Sequence, residues 1–435
     1  MIHLRNYIVV LLFVPLALQA KTVGDSLTLS GGLSIVISNY PSLKKVDKEL
    51  TAADAKIGLT KTAYLPDVNF ATSYTRIGPV TTIPFGGQSL QLYPPDVYSA
   101  VVSVNENIYD FGKTDKSVEL DQKNKEMIQL STHQIKQRLS AAAMSNFYSI
   151  SFLQQAITIK VDQLKNLNEH LHFVQKRADT GSATKYDILT TKVRISSIEN
   201  QKTDIQTALQ IQISLLNSLM GKSPDSPIIL KSDIVHAPRV MASADSLCTV
   251  AYFNRPELKL ALQKEEISKS RMNVIKVQNN PSLNAFASGG LKNGYLNDQF
   301  KDVGKLNFAV GVGLKVPLFD ANRSKYLKIQ ANADLEGNQQ ETELARRNIT
   351  TEVIESRANA EASLKKVKQS ELQVEQASQA FELADVNYKA GVVTNLDLLD
   401  SYTSLSESKL SLFRTKIDYT VSLQRLKIAL GEQIY

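Results

Sequence analysis

Residues 67–77 and 97–109 alternate between apolar and polar side chains, and this period of two is typical of β-strands. The pattern returns at 282–291 and 306–319, where one face is again apolar and the other small or polar. It is weakest at 282–291, because Phe286 falls on the polar face. About ten residues with one apolar face is the pattern of a tilted strand that crosses a bilayer. The sequence therefore predicts four transmembrane strands, with a loop rich in Gly, Pro and Thr between the first two.

Residues 113–220 and 322–430 are each predicted to form a long helical hairpin. The first helix contains neither Pro nor Gly as far as Arg177, and its apolar side chains recur at intervals of three and four residues, as in a coiled coil. A helix of about 65 residues extends roughly 100 Å. The returning helix of each hairpin is followed by a glycine, Gly221 or Gly431, the usual helix terminator.

The chain contains two copies of one unit. Matching pairs are Pro41 with Pro256, Asn69 with Asn284, Asp110 with Asp320, Gly181 with Gly391, and Asp187 with Asp397. The first two pairs are 215 positions apart and the other three are 210 apart, which indicates a duplication with a small deletion. We therefore predict a first structural repeat at 21–221, a connector at 222–245 and a second structural repeat at 246–435, each repeat beginning with a helix.

The first 20 residues have the features of a secretory signal peptide. Arg5 precedes an apolar run from Tyr7 to Leu18, and small or polar residues follow as far as Ala20. The run is too short for a membrane-spanning helix, and no cysteine follows it that could carry a lipid anchor. No later apolar run reaches the length of a spanning helix, so insertion into a membrane would require a β-barrel. The chain is predicted to be exported.

Composition and charge argue against several other classes of protein. The formal net charge of +7 is modest for 435 residues, and Lys and Arg are scattered along the helices, which predicts solvated helix faces and no nucleic-acid binding. Cys248 is the only cysteine, so no internal disulfide is expected. The histidines lack metal-ligand spacing, since His170 and His172 point to different helix faces, and no phosphate loop or nucleophile elbow is present. The sequence predicts no enzyme, cofactor or metal site.

Each helical hairpin turns in a segment with Gly, Thr and Asp at fixed spacing. The glycine ends one helix, the threonine caps the next, and the aspartate completes a capping box, which by itself would explain Asp187 and Asp397. Asp400 lies one turn further along, on the same helical face as Asp397. Acidic residues repeated around an axis would form rings that favour cations. The alternative for Asp400 is an exposed surface carboxylate.

Four strands cannot close a wide barrel, and open sheet edges cannot face lipid. The pattern of strands therefore predicts assembly of several copies, with cyclic symmetry as the natural solution.

The chain resembles the TolC family of outer-membrane efflux proteins over nearly all of its mature length. The resemblance rests on the exported precursor, the repeated Asn-x-Pro-x-Leu pattern, the strand ends at Asp110 and Asp320, and the paired Gly-x-x-Thr-x-x-Asp tips. It implies an α+β membrane protein that forms a homotrimer. Three chains would close a twelve-stranded β-barrel in the outer membrane, joined to a periplasmic α-helical coiled-coil barrel.

The resemblance also implies a role and functional residues. The protein would be the outer-membrane exit duct of a tripartite efflux or type I secretion system, conducting substrates passively from an inner-membrane transporter and a periplasmic adaptor. Asp397 and Asp400 would form the pore constriction, and Asp187, Tyr388 and Tyr186 would be gate contacts. The adaptor would dock at Gly181, Ser182, Ala183, Thr184, Gly391, Val392, Val393 and Thr394.

The tips depart from the family pattern at two positions. Val393 stands where well-studied drug-efflux members carry an arginine, and Tyr186 stands where they carry a threonine. We therefore expect a closed tip held by fewer polar links. Two alternatives remain open: an adaptor-independent passive channel, and a periplasmic coiled-coil adaptor or scaffold. The second would leave the four strands unexplained. The sequence does not identify the cargo.

Overall fold

The structure, a computed structural model, describes residues 27–91, 94–231, 234, 241–296 and 302–434. The predicted signal peptide at 1–20 and part of the predicted connector lie outside these residues. The elements in chain order are α1 (Leu29–Asn39), α2 (Pro41–Lys61), a 3-10 turn (Thr62–Tyr64), β1 (Asp67–Arg76), β2 (Thr82–Phe85), β3 (Gln88–Gln91), β4 (Asp96–Tyr109), α3 (Lys113–Asp179), α4 (Lys185–Met220), α5 (Ala244–Asn254), α6 (Pro256–Val277), β5 (Ser282–Leu296), β6 (Asp302–Lys315), α7 (Arg323–Lys389) and α8 (Asn395–Ala429).

The helices α3 and α7 are both 67 residues long, and their returning helices α4 and α8 have 36 and 35 residues. Helices of this length are stabilised mainly by packing of their apolar faces against neighbouring helices. Across the described ranges, the helices lack the combination of length and apolar composition that crossing a membrane requires.

Four strands form one antiparallel sheet in the order β1-β4-β5-β6. Phe70 lies opposite Val102, Val102 opposite Gly289, and Gly289 opposite Phe308, so this row follows one face across all four strands. The neighbouring row, on the other face, contains Asn69, Ser103, Ser288 and Ala309. The predicted separation of an apolar face from a small or polar face is present in the sheet.

Phe286, which weakened the prediction of its strand, is accommodated on the polar face by a glycine on the next strand. Phe286 pairs with Gly311, and a Cβ atom added to Gly311 would lie 2.5 Å from the end of the Phe286 ring. The absence of a side chain at Gly311 therefore provides the space that the ring occupies.

Two details of the strands differ from the sequence prediction. The segment expected to be a loop contains the β2-β3 hairpin, which turns at Gly86 and Gly87 with φ of 58° and 83°. Two consecutive residues with positive φ are the requirement of a tight hairpin turn, so the Gly-Gly pair carried this signal. In addition, β6 ends at Lys315, before the predicted end at Phe319.

Each long helix begins at a capped joint that follows a strand. The Asp110 carboxylate accepts the amide of Thr114 at 2.7 Å, and the Asp320 carboxylate accepts the amide of Ser324 at 3.0 Å. Asp320 also accepts the amide group of Asn279 at 2.6 Å. Hydrogen bonds from the Ser324 hydroxyl and from Asn279 lower the pKa of Asp320 to about 2. The matching positions of the repeat thus have matching local roles.

The chain divides into two compact units, and each draws on both sequence repeats. One unit includes residues 143–234 and 377–413, and its core contains Leu167, Ile195, Ile198, Leu399 and Tyr402. The other includes residues 35–142, 235–376 and 414–435, and its core contains Cys248, Ala251, Leu258, Ile349, Val353, Leu426, Ala429 and Leu430. Burial raises the pKa of the Cys248 thiol.

Candidate functional site

Both helical hairpins turn through the same backbone conformation. Gly181 and Gly391 have φ of 74° and 78°, in the left-handed region where glycine avoids the steric cost of a side chain. The next amide donates to a carbonyl of the last helical turn, at 2.7 Å in the first tip and from Val392 to Asn387 at 2.8 Å in the second. This bond satisfies a carbonyl that the helix end would otherwise leave unpaired.

A capping box begins the returning helix in each tip. The amides of Thr184 and Thr394 donate to the carboxylates of Asp187 and Asp397 at 2.8 and 2.9 Å. The aspartate amides donate back to the threonine hydroxyls at 3.1 and 3.2 Å. Both predicted capping boxes are therefore present. The Thr394 hydroxyl and amide, as donors, lower the pKa of Asp397, which favours its charged form.

Asp400 forms an ion pair that the sequence analysis did not predict. Arg194, on the returning helix of the first hairpin, donates to the Asp400 carboxylate with a distance of 2.6 Å between Nη2 and Oδ1. Asp400 is exposed, and Asp397 is exposed one turn earlier on the same helix. The two carboxylates proposed as a constriction thus have different partners.

Tyr388 is buried between the two hairpins, where it packs with Val174 and Leu398. The Arg177 guanidinium lies 5.3 Å from the centre of the Tyr388 ring and donates to the Tyr388 carbonyl at 3.1 Å. Burial raises the pKa of the Tyr388 hydroxyl, Arg177 opposes this rise, and the negative charge of Asp187 adds to it. The role of Tyr388 and Asp187 as gate contacts stays a prediction.

The predicted docking residues form two small exposed turns. Ala183 and Val393 are half-buried against the Tyr388 cluster, while Tyr186 is exposed. The other docking residues are exposed: Gly181, Ser182, Thr184, Gly391, Val392 and Thr394. Val393, at the position where drug-efflux members carry an arginine, makes an apolar contact with the Tyr388 cluster. Arg177 makes a polar contact within the chain, to the Tyr388 carbonyl. The expectation that the closed tip is held by fewer polar links stays a prediction.

Asn395 is a further site residue that the sequence analysis missed. It is 3% exposed, and its amide group lies 3.2 Å from both the Thr191 hydroxyl and the Asp187 carbonyl oxygen. Its Oδ1 atom lies 2.7 Å from Nε2 of His170. Asn395 therefore joins the second tip to two helices of the first hairpin. The sequence did contain a signal for Asn395. The matching position in the first repeat is Lys185, and this difference within an otherwise matching tip marks Asn395 as a residue with a separate role.

The part of the chain that the structure describes contains no group of three or more His, Cys, Asp or Glu residues placed to hold a metal ion. The described contacts of the tip region instead include the two capping boxes, the hydrogen bonds of Asn395 and the ion pair between Arg194 and Asp400.

Comparisons with known proteins agree with this architecture. A family model described as outer membrane efflux protein matches residues 32–222 and 248–432. Outer membrane protein TolC of Vibrio cholerae is 22% identical over 399 residues, covering 90% of this chain and 88% of that protein. The cobalt-zinc-cadmium resistance protein CzcC of Cupriavidus metallidurans is 20% identical over 410 residues, covering 90% and 86%.

A solved structure shares the fold across almost the whole chain. The outer membrane protein VceC of Vibrio cholerae aligns with a TM-score of 0.74 at 19% identity, covering 94% of this chain and 97% of that one. The two segments matched by the family model contain both helix tips and all four strands of the main sheet. The chain belongs to the outer membrane efflux protein family.

Proposed function

We propose that this protein is the outer-membrane exit duct of a tripartite efflux or type I secretion system. In this role it conducts substrates passively from an inner-membrane transporter and a periplasmic adaptor. The family consists of outer-membrane efflux channels, so the chain is an outer-membrane protein. The family is a channel family and not an enzyme family. The tripartite partnership is the part that goes beyond family membership.

The observation that carries the proposal is the pair of matching tips. Both present a glycine turn and a threonine cap whose backbone conformation is fixed by local hydrogen bonds. A passive channel would not need the same exposed turn twice, whereas a docking partner gains from a rigid, repeated surface because little conformational freedom is lost on binding. We place the adaptor at Gly181–Thr184 and Gly391–Thr394.

The sheet supports insertion in a membrane with one face toward lipid. Phe308 and Val310 on β6 are 84% and 77% exposed in the single chain, and Phe70 and Val102 lie on the same face. Large apolar side chains on one face are stabilised when that face contacts hydrocarbon. The opposite face, with its small and polar side chains, would line an aqueous passage.

The edges of the sheet support assembly into a homotrimer. In the described residues, β1 and β6 each pair with only one neighbouring strand of the sheet. An open edge in a bilayer leaves backbone amides and carbonyls unsatisfied, so closure requires strands from other copies. Three chains would supply twelve strands, the number that the family resemblance implies.

The proposed constriction consists of Asp397 and Asp400, and the proposed gate contacts are Asp187, Tyr388 and Tyr186. Exposure of both acidic residues and the ionised state favoured at Asp397 support a cation-preferring ring. The scaffold alternative does not explain the apolar sheet face and disagrees with the outer-membrane family. Relatives are named for metal resistance and for nodulation, so the family name alone does not identify the cargo.

Site-specific crosslinking in cells tests the proposed docking. A photoreactive residue at Ser182 should crosslink to a periplasmic adaptor, and Val392→Asp should reduce this crosslink and efflux together, because a charge disrupts an apolar contact at the tip. Gln201→Asp, which adds the same charge to an exposed position of α4, is the matched control. Full efflux with no adaptor crosslink would favour the adaptor-independent channel.

A further inference from the structure

We infer that Arg194 sets the ion selectivity of the pore by neutralising Asp400, so that Asp397 supplies most of the effective negative charge. The inference rests on the proposed constriction and concerns how its two carboxylates differ. Arg194 Nη2 lies 2.6 Å from Asp400 Oδ1, the distance of a charge-assisted hydrogen bond. The pair joins a helix of the first repeat to a helix of the second.

The partners of the two carboxylates give them different electrostatic states. Asp397 accepts hydrogen bonds from the amide and the hydroxyl of Thr394, which are neutral groups. These bonds favour the charged form of Asp397 without cancelling its charge. Asp400 instead lies against a permanently positive guanidinium, whose charge offsets its own for any ion at a distance. A cation in the pore would therefore be attracted mainly by Asp397.

Stability does not account for the pair. The Arg194 side chain is 31% exposed and the Asp400 side chain is 61% exposed, and ion pairs with this much solvent contact contribute little to folding. Its effect on the field inside a narrow passage is larger, because a pore wall focuses the potential of each fixed charge. We therefore assign the pair a role in selectivity.

The duplication makes the pair asymmetric. The position that matches Arg194 in the second repeat is Ser404, and the position that matches Asp400 in the first repeat is Thr190. The first tip therefore has no counterpart of this pair, and each chain contributes one Arg194 for each Asp400. Removal of Arg194 would raise the uncompensated acidic charge that each chain provides to the proposed constriction from Asp397 alone to Asp397 and Asp400 together.

Planar-bilayer recordings of the purified oligomer in a KCl gradient test the inference. Because Arg194→Gln unmasks Asp400, it should raise the potassium-to-chloride permeability ratio about twofold or more. It should also lower the concentration of trivalent lanthanum that halves the current, by about tenfold. Lys192→Gln removes one positive charge from an exposed site on the same helix and is the matched control. It should change neither quantity appreciably.

A double-mutant cycle separates charge masking from a structural role. Asp400→Asn should lower the cation preference by leaving Arg194 unpaired, and the Arg194→Gln, Asp400→Asn double variant should return close to the unmodified ratio. Arg194→Lys should keep that ratio, because the positive charge remains.

One result would refute the role of Arg194, and another would refute the acidic constriction itself. If Arg194→Gln increases conductance but leaves both the permeability ratio and the lanthanum block unchanged, Arg194 is a mechanical link and the inference is wrong. If Asp397→Asn and Asp400→Asn also leave selectivity unchanged, the acidic constriction itself is refuted. A change with Asp397→Asn alone would preserve the constriction and overturn only the role of Arg194.

Discussion

The two helix tips have the same backbone conformation but differ in what their side chains contact. The first tip is Gly181–Asp187 and the second is Gly391–Asp397. Both use a left-handed glycine and a threonine–aspartate capping box. After the threonine, however, the first tip has exposed Lys185 and the second has buried Asn395. The residues that are the same in both tips are the glycine, threonine and aspartate, whose hydrogen bonds and backbone conformation involve only nearby residues of the chain.

The residues that differ are those that reach from one repeat to the other. Tyr388 of the second repeat packs under Arg177 of the first, and Asp400 of the second pairs with Arg194 of the first. Neither contact can form with the two repeats interchanged, because the positions that match these residues in the other repeat hold other residue types. Most of the candidate gate and constriction residues therefore lie on the second hairpin, whereas the partners of Tyr388 and Asp400 lie on the first.

Truncation of Tyr388 should produce the largest loss of stability in the tips. Tyr388→Ala removes a buried ring, which we expect to lower the free energy of local opening by about 3 kcal/mol. Tyr388→Phe keeps the ring and should cost less than about 1 kcal/mol. Amide hydrogen exchange near Val174 of α3 and Leu398 of α8, which contact Tyr388, measures both changes.

The phenylalanine variant also tests the proposed gate. If the Tyr388 hydroxyl helps to hold the tube shut, Tyr388→Phe should increase single-channel conductance while hydrogen exchange stays nearly unchanged. The matching position in the first repeat, Ala178, carries no ring, so Ala178→Gly serves as a control for local helix weakening. Equal conductance for Tyr388→Phe and the unmodified protein would remove the hydroxyl from the gate.

Asn395 and Lys185 form a matched pair of positions for the next test. Asn395→Ala leaves the buried Thr191 hydroxyl and the half-buried His170 ring without this partner, at an expected cost of about 2 kcal/mol. Lys185→Ala changes an exposed side chain at the equivalent position and should cost less than about 0.5 kcal/mol. Hydrogen exchange of the two tips gives both values. Similar costs at both positions would contradict the asymmetry.

The smallest expected effect is the pH dependence of the second cap. Because Thr394 donates to the Asp397 carboxylate, the pKa of Asp397 lies below its ordinary value. The stability from this cap is fully present above the unfolded pKa of about 3.9 and is lost as the pH falls through the lowered folded pKa. The cation preference of the pore should follow the same carboxylate and decrease only at acidic pH.

Removal of the cap threonine sharpens this test. Thr394→Ala should move the loss of cation preference to higher pH, since it removes a hydrogen bond to the charged form of Asp397. Thr184→Ala changes the equivalent cap in the first tip, outside the proposed ring, and should leave the titration in place. Reversal potentials recorded across a pH series measure both variants. An identical shift for the two would show that the effect is not specific to the second tip.

Much of the fold could be predicted because its signals are periodic or local. Four alternating stretches became the four strands of the main sheet, and two long helical patterns, the second containing a single glycine at Gly337, became helices of equal length. The β2-β3 hairpin was missed although the Gly-Gly pair at its turn was visible. Phe286 looked misplaced because its space is provided by Gly311, a residue of another strand.

The sequence by itself determined the duplication, the order of helices and strands, and the capped turns, in which Gly, Thr and Asp lie within seven consecutive residues. Their physical cause is short-range, since backbone sterics and cap hydrogen bonds involve neighbouring residues only. Only the tertiary structure decided that Arg194 meets Asp400, that Arg177 covers Tyr388, and that Asn395 is buried beside His170. These partners are about 200 positions apart in the chain, and helix packing alone brings them within contact distance.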